Sequence, residues 1–115
     1  MLLRIDPHSS QPLHDQLAGQ LRKAIADGDL AAGEKLPAAR GLAESLGVNV
    51  HTLLRAFQTL RDEGLLEVRR GRGTLVTGTA PKLAKNVGLA QRLVAEARRL
   101  GLADKEILQL VEAQL

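Results

Sequence analysis

Apolar residues recur along this chain at two periods, and the change of period locates the elements. From Pro12 onward, Leu13, Leu17, Leu21 and Ile25 fall every four residues, with Ala18 and Ala24 beside them. That spacing gathers them on one face of a helix, and Gly28 is its predicted stop. Asp29–Pro37, holding Gly33 and Pro37, reads as a loop. A shorter helix is predicted from roughly Ala38 to Leu46, with Leu42, Ala43 and Leu46 inward and Gly47 at its end. Val48-Asn49 fills a turn, and Asn49 is placed to cap a third helix through the backbone N–H of His51 or Thr52. That helix turns Leu53, Ala56, Phe57 and Leu60 inward and stops at Gly64. There the period falls to two. Leu66 and Val68 alternate with Glu67 and Arg69, Gly71-Arg72-Gly73 supplies a turn, and Thr74–Thr77 is β-prone, which predicts a hairpin. Thr79-Ala80-Pro81 punctuates the chain. Beyond it, Leu89, Leu93, Ala97 and Leu100 trace a helical stripe, with Val94 beside it, as far as Gly101. A last stripe runs Ile107, Leu110, Val111, and at the other end Leu2–Ile5 reads as a short strand or arm before Pro7.

Composition agrees with a mainly helical fold. Leu (23) and Ala (16) make up 39 of 51 hydrophobic residues, and both lose little side-chain freedom in a helix. A chain of this length buries only about 65% of its unfolded surface, so the core is expected to be thin and helped by a partner subunit. No Cys is present, which removes disulfides, thiolate zinc sites and Cys nucleophiles. Phe57 is the sole aromatic residue, too little for a surface that stacks single-stranded bases. No apolar run approaches ~20 residues, so no membrane span is expected. The start, MLLRIDPH, lacks a signal-peptide pattern, and a cytoplasmic protein is the expectation.

The distribution of charge narrows the partner. Residues 1–34 carry 3 basic and 5 acidic groups, residues 35–75 carry 7 and 4, and residues 76–115 carry 6 and 4. The middle third is net positive, with Arg69, Arg70 and Arg72 crowded into the predicted hairpin turn. Helix, short helix, turn, helix, hairpin is the plan of a winged helix-turn-helix. In that plan two helices cross steeply, the second projects into a DNA major groove, and the hairpin tip reaches phosphates or the minor groove. The expected architecture is therefore mainly α with a small β-hairpin wing, followed by a short two-helix segment. Residues 1–78 are assigned to DNA binding and residues 79–115 to a helical dimerisation tail.

Particular residues sharpen this. Pro12-Leu13 with Gln16-Leu17, Gly33-Glu34-Lys35-Leu36-Pro37, Arg40, Leu42-Ala43, Leu46-Gly47-Val48, Thr52, Glu63-Gly64-Leu65 and Arg70-Gly71-Arg72-Gly73-Thr74 resemble the GntR family of bacterial transcription regulators. The short tail resembles its YtrA-type branch, where two helices serve dimerisation. Other branches carry an effector-binding or aminotransferase-like domain there, for which this chain is expected to have no room. The resemblance implies that Arg40, at the start of the second helix, contacts DNA. It implies that Asn49, His51 and Thr52 meet phosphates and base edges, and that Arg70 and Gly71 approach the minor groove, with Arg72 adding charge. Leu89, Leu93, Ala97, Leu100, Ile107, Leu110 and Val111 are the expected dimerisation residues.

The chain departs from the family pattern at several places. Asn49-Val50 stands where Ser or Thr followed by Arg is usual. Leu54 replaces a common Arg; Arg55, one position later and one turn from Thr52, is a further expected DNA contact. Ala38 and Ala103 replace capping serines, and His14 a common Tyr. The expected partners are a double-stranded DNA operator and a second copy of the chain. An unidentified small-molecule effector would have to act on the dimer interface or on a hinge near Thr79–Pro81. No cofactor, metal site or catalytic residue is expected: His8 and His14 lack a matching carboxylate spacing, and no serine lies in a nucleophile elbow. Repression by occupying a promoter is the expected activity. The alternatives are a winged-helix docking module and a non-specific DNA-binding protein. A docking module should tolerate loss of the wing arginines.

Overall fold

The computed structural model describes residues 3–115, so Leu2 of the predicted arm lies outside the described residues. Five helices and one hairpin follow in the order α1 (Leu13–Asp27), α2 (Ala39–Leu46), α3 (Val50–Asp62), β1 (Leu66–Arg69), β2 (Gly73–Val76), α4 (Ala80–Arg99) and α5 (Asp104–Glu112). The chain forms two compact units, one through Lys85 and one from Asn86 to Leu115.

The core of the first unit follows from the four-residue spacing. Leu17, Ala18, Leu21, Ala24 and Ile25 of α1 are buried with Leu53, Ala56, Phe57 and Leu60 of α3. Ala43 of α2, Leu30, Leu36, Leu65, Leu66 and Val76 belong to the same core. The Leu, Ile, Val and Phe side chains among them stabilise by roughly 1.5–3 kcal/mol each when fully buried. Between α2 and α3, Gly47 takes φ 70°, a left-handed conformation that L side chains adopt at a cost. The N–H groups of Gly47 and Val48 then donate back to the carbonyls of Glu44 and Ala43. This closes α2 and redirects the chain into α3 within three residues.

Residues 3–12, the described residues before α1, form an arm and not a strand. Gln16, buried on α1, donates to the carbonyls of Asp6 (3.1 Å) and Gln11 (2.9 Å) and accepts from the Asp6 N–H (2.9 Å). One turn further on, Gln20 likewise takes both backbone groups of Arg4. The two amides satisfy backbone groups of Arg4, Asp6 and Gln11 that, among the described residues, no strand pairs.

Two regions differ from the sequence-based expectation. Asp29–Pro37 is not simply a loop: residues 33–36 run antiparallel beside β2. The Leu36 N–H donates to the Thr74 carbonyl and the Val76 N–H to the Glu34 carbonyl, both at 2.9 Å, and Lys35 stands opposite Leu75. Thr79-Ala80-Pro81, expected as punctuation and a hinge, instead opens α4. Pro81 is tolerated in a first helical turn because its missing N–H would have no partner there. Ala80 and Ala84 are buried in the core of the first unit. Thr77 ties the same stretch to the end of α3, its hydroxyl donating to the Gly64 carbonyl at 2.8 Å. The compact units divide after Lys85, inside α4, whereas the sequence places the domain division at residue 79.

Candidate nucleic-acid interface

Asn49 begins α3 in an extended conformation and its Oδ1 accepts from the His51 N–H at 2.8 Å. The predicted cap is thus made, and of the two donors offered by the sequence the structure selects His51. The helix that follows divides cleanly. Leu53, Ala56, Phe57 and Leu60 face the core, His51 and Arg55 are exposed, and Thr52 is half-buried between the two faces. Leu54, where an Arg is usual in the family, is also exposed. Arg40 is the second residue of α2 and is exposed.

The wing is an antiparallel pair in the register Leu66 with Val76, Glu67 with Leu75, Val68 with Thr74 and Arg69 with Gly73. The Arg72 N–H donates to the Arg69 carbonyl at 2.9 Å and closes the turn, with Gly71 at its tip. The three turn arginines are not equivalent. Arg69 Nε donates to Glu67 Oε1 at 2.9 Å, so much of its charge is answered within the hairpin. Arg70 and Arg72 are exposed and, among the described residues, neither forms an ion pair. The same holds for Arg40 and Arg55, which do not pair with Glu44 or Asp62. Asp62 instead accepts from Gln58 at 2.8 Å. Four exposed guanidinium groups are therefore left with their donors directed to solvent, the condition for binding phosphate or a base edge.

Two positioning features were not anticipated from the sequence. Arg22 of α1 and Glu63, just after α3, form a two-point pair, Nε to Oε1 at 2.9 Å and Nη2 to Oε2 at 2.7 Å. Both are largely buried, at 13% and 19% side-chain exposure. Their separation of 41 positions leaves no local signal. Lys35, which the segment beside β2 brings to the wing, is the second; the one local hint is the isolated Leu36 between Lys35 and Pro37. His14 Nδ1 lies 3.2 Å from Asp15 Oδ1. Among the described residues no group of three metal-ligating side chains is gathered, and no helix is long and apolar enough to cross a membrane.

In the second unit, α4 ends at Arg99, Gly101 lies in the turn that follows, and Arg98 reaches Asp104 at the start of α5, 2.8 Å. Of the expected dimerisation residues, Ala97 and Ile107 are already buried in the single chain. Leu89, Leu93, Leu100, Leu110 and Val111 are exposed, Leu100 by 82%. Val87, Ala90, Gln91, Val94 and Ala95 line a shallow apolar groove along α4.

A recognition helix, its supporting helix and a basic wing define a winged helix-turn-helix regulator. Residues 13–76 match the profile of the gntR family of bacterial regulatory proteins, and the chain belongs to that family. The transcriptional repressor YtrA of Bacillus subtilis is 37% identical over 79 residues, 69% of this chain and 61% of that protein. The chain thus spans somewhat less than two thirds of that relative. The transcriptional regulator Rv1152 of Mycobacterium tuberculosis is 35% identical over 107 residues, 93% of this chain and 88% of the relative. Among solved structures, YtrA from Sulfolobus acidocaldarius, a GntR-family transcription factor, has a TM-score of 0.66 at 35% identity, covering 82% of this chain and 99% of that one. AraR(DBD) in complex with operator ORX1 has a TM-score of 0.57 at 30% identity, covering 65% and 93%. These relatives are transcription regulators.

Proposed function

We propose that this GntR-family regulator is a repressor that binds double-stranded DNA as a homodimer, on an operator of approximate two-fold symmetry. The observation that carries the reading is the set of unpaired, exposed arginines. Arg40 on α2, Arg55 on α3, and Arg70 and Arg72 on the wing turn are four cations on three elements of one fold. A relative of that fold has been solved on its operator. In this reading Asn49, His51 and Thr52 bring the N-terminus of α3 to phosphates and base edges, where backbone N–H groups favour anions. Gly71 lets the wing backbone approach the minor groove while Arg70 and Arg72 flank it. The unit through Lys85 acts as the DNA-binding domain and the unit from Asn86 to Leu115 as the dimerisation tail, through Leu89, Leu93, Leu100, Leu110 and Val111. Pairing would place two α3 helices in major grooves about 34 Å apart, and occupancy of a promoter would exclude polymerase. The chain is placed in the cytoplasm, with its DNA.

The test is selection of genomic DNA fragments by the purified protein at about 0.15 M salt, followed by sequencing. Enrichment of a few fragments sharing a two-fold motif is the expected result. Even recovery across the genome, or none, would overturn the reading. If each subunit neutralises about five phosphates, log K should also fall against log salt with a slope near −9.

A further inference from the structure

The wing carries a cation from outside the hairpin. With Lys35 opposite Leu75 and Leu75 opposite Glu67, these three residues form a row across one face of the sheet. The next row on that face, two residues along, is Arg69 with Gly73. Gly73 contributes no side chain to it, and Lys35 fills the gap. A β-carbon on Gly73 would lie 3.2 Å from Lys35 Cε and 4.0 Å from its Nζ. The aliphatic stem of Lys35 therefore lies over Gly73, and its ammonium is carried to the base of the Arg70–Arg72 turn. Lys35 is exposed, and among the described residues it forms no ion pair. Its neighbour in the face, Arg69, is engaged by Glu67 at 2.9 Å. The free charge on this side of the wing thus comes from Lys35 and not from the hairpin's own first arginine.

We propose that Lys35 is a phosphate-binding residue of the DNA interface, with Gly73 as the slot that aims it. This inference rests on the DNA-binding reading above. A lysine suits such a contact, because its ammonium is a compact charge that binds a phosphate oxygen without demanding a fixed planar geometry. The contact adds affinity and orients the wing but reads no base. Gly73 then has two reasons to be glycine, its φ of 94° and the lysine stem laid across it.

The probe is a random-sequence DNA duplex, titrated by fluorescence anisotropy over a salt series. Lys35→Met keeps the stem over Gly73 and removes the charge, Lys35→Ala removes both, and Lys35→Arg keeps the charge. Met and Ala are expected to weaken binding by about 3–10-fold at low salt and to reduce the log–log salt slope by about 0.9 per chain. Lys35→Arg is expected to retain the slope. The double variant Arg70→Ala, Arg72→Ala separates the role of Lys35 from that of the wing as a whole. If it weakens binding while Lys35→Met keeps wild-type affinity and slope, Lys35 merely covers Gly73 and the inference fails alone. If the double variant also binds as wild type, the wing is not at the DNA and the DNA-binding reading of it fails as well.

Discussion

Two helices of this protein, α2 and α5, carry alanine at the N-cap position. Ala38 precedes α2 at φ −58°, ψ 136°, and Ala103 precedes α5 at φ −80°, ψ 164°, geometries that a capping serine would share. Neither side chain can accept a hydrogen bond. At α5 the loss is half made good, because Glu106 Oε1 accepts the Ala103 N–H at 3.0 Å. At α2 nothing comparable reaches back. Ala38→Ser is therefore expected to stabilise the protein by about 1 kcal/mol, raising Tm by roughly 4–8 °C for a domain of this size. Thermal unfolding at fixed protein concentration checks it, and an unchanged Tm would show that the first turn of α2 gains nothing from a cap. Asn49 is the counter-example in the same fold. Its position four residues before Leu53, the start of the apolar stripe, announced a cap, and the side chain makes that bond.

Between elements, what the sequence displayed was whatever repeats locally. The stripes of α1, α2 and α3 each turn one face to the core, and burial leaves a period that can be read; in β1 the alternation marks the strand, although Leu66 is buried and Val68 is 53% exposed. The segment beside β2 left almost none. It pairs through backbone N–H and carbonyl groups, which every residue possesses, and Gly33 and Pro37 at its edges read as loop. Pro81 misled for a different reason: proline breaks a helix interior but fits its first turn, and only the burial of Ala80 and Ala84 shows which applies. The site followed the same division. Arg70 and Arg72 were evident from their crowding at a turn, whereas the selective tying of Arg69 to Glu67 and the approach of Lys35 depend on strand register. The Arg22–Glu63 pair, which fastens the end of α3 to α1, is the clearest case of distant chemistry without local trace. Glu63→Ala should cost about 2–3 kcal/mol, because it leaves a largely buried guanidinium unpaired. In urea unfolding, the double variant with Arg22→Ala is expected to lose at least about 1 kcal/mol less than the sum of the single losses. Additive losses would show that the pair does not couple the two helices.

At the scale of the whole molecule, the two units are unequally provided. The first holds nearly all of the buried residues. From Asn86 to Leu115, only Ala97 and Ile107 among the described residues are buried, while Leu89 is 64% and Leu100 82% exposed. Under the proposed pairing, Leu93→Glu with Leu110→Glu should convert the protein from dimer to monomer in sedimentation. It should also weaken operator binding by roughly a hundredfold, since the second recognition helix would no longer be delivered with the first. A variant that stays dimeric would place the interface elsewhere. The sparse interior of this tail has a further consequence. In the proposed dimer, a segment with so little to bury alone would draw its stability from association, and that stability would rise and fall with protomer concentration. Well below the dimer's dissociation constant, the amount of paired protein falls as the square of the total. Halving the gene's output would then remove more than half of the repression. The regulator's response to its own abundance would be steeper than linear, with no ligand required to make it so.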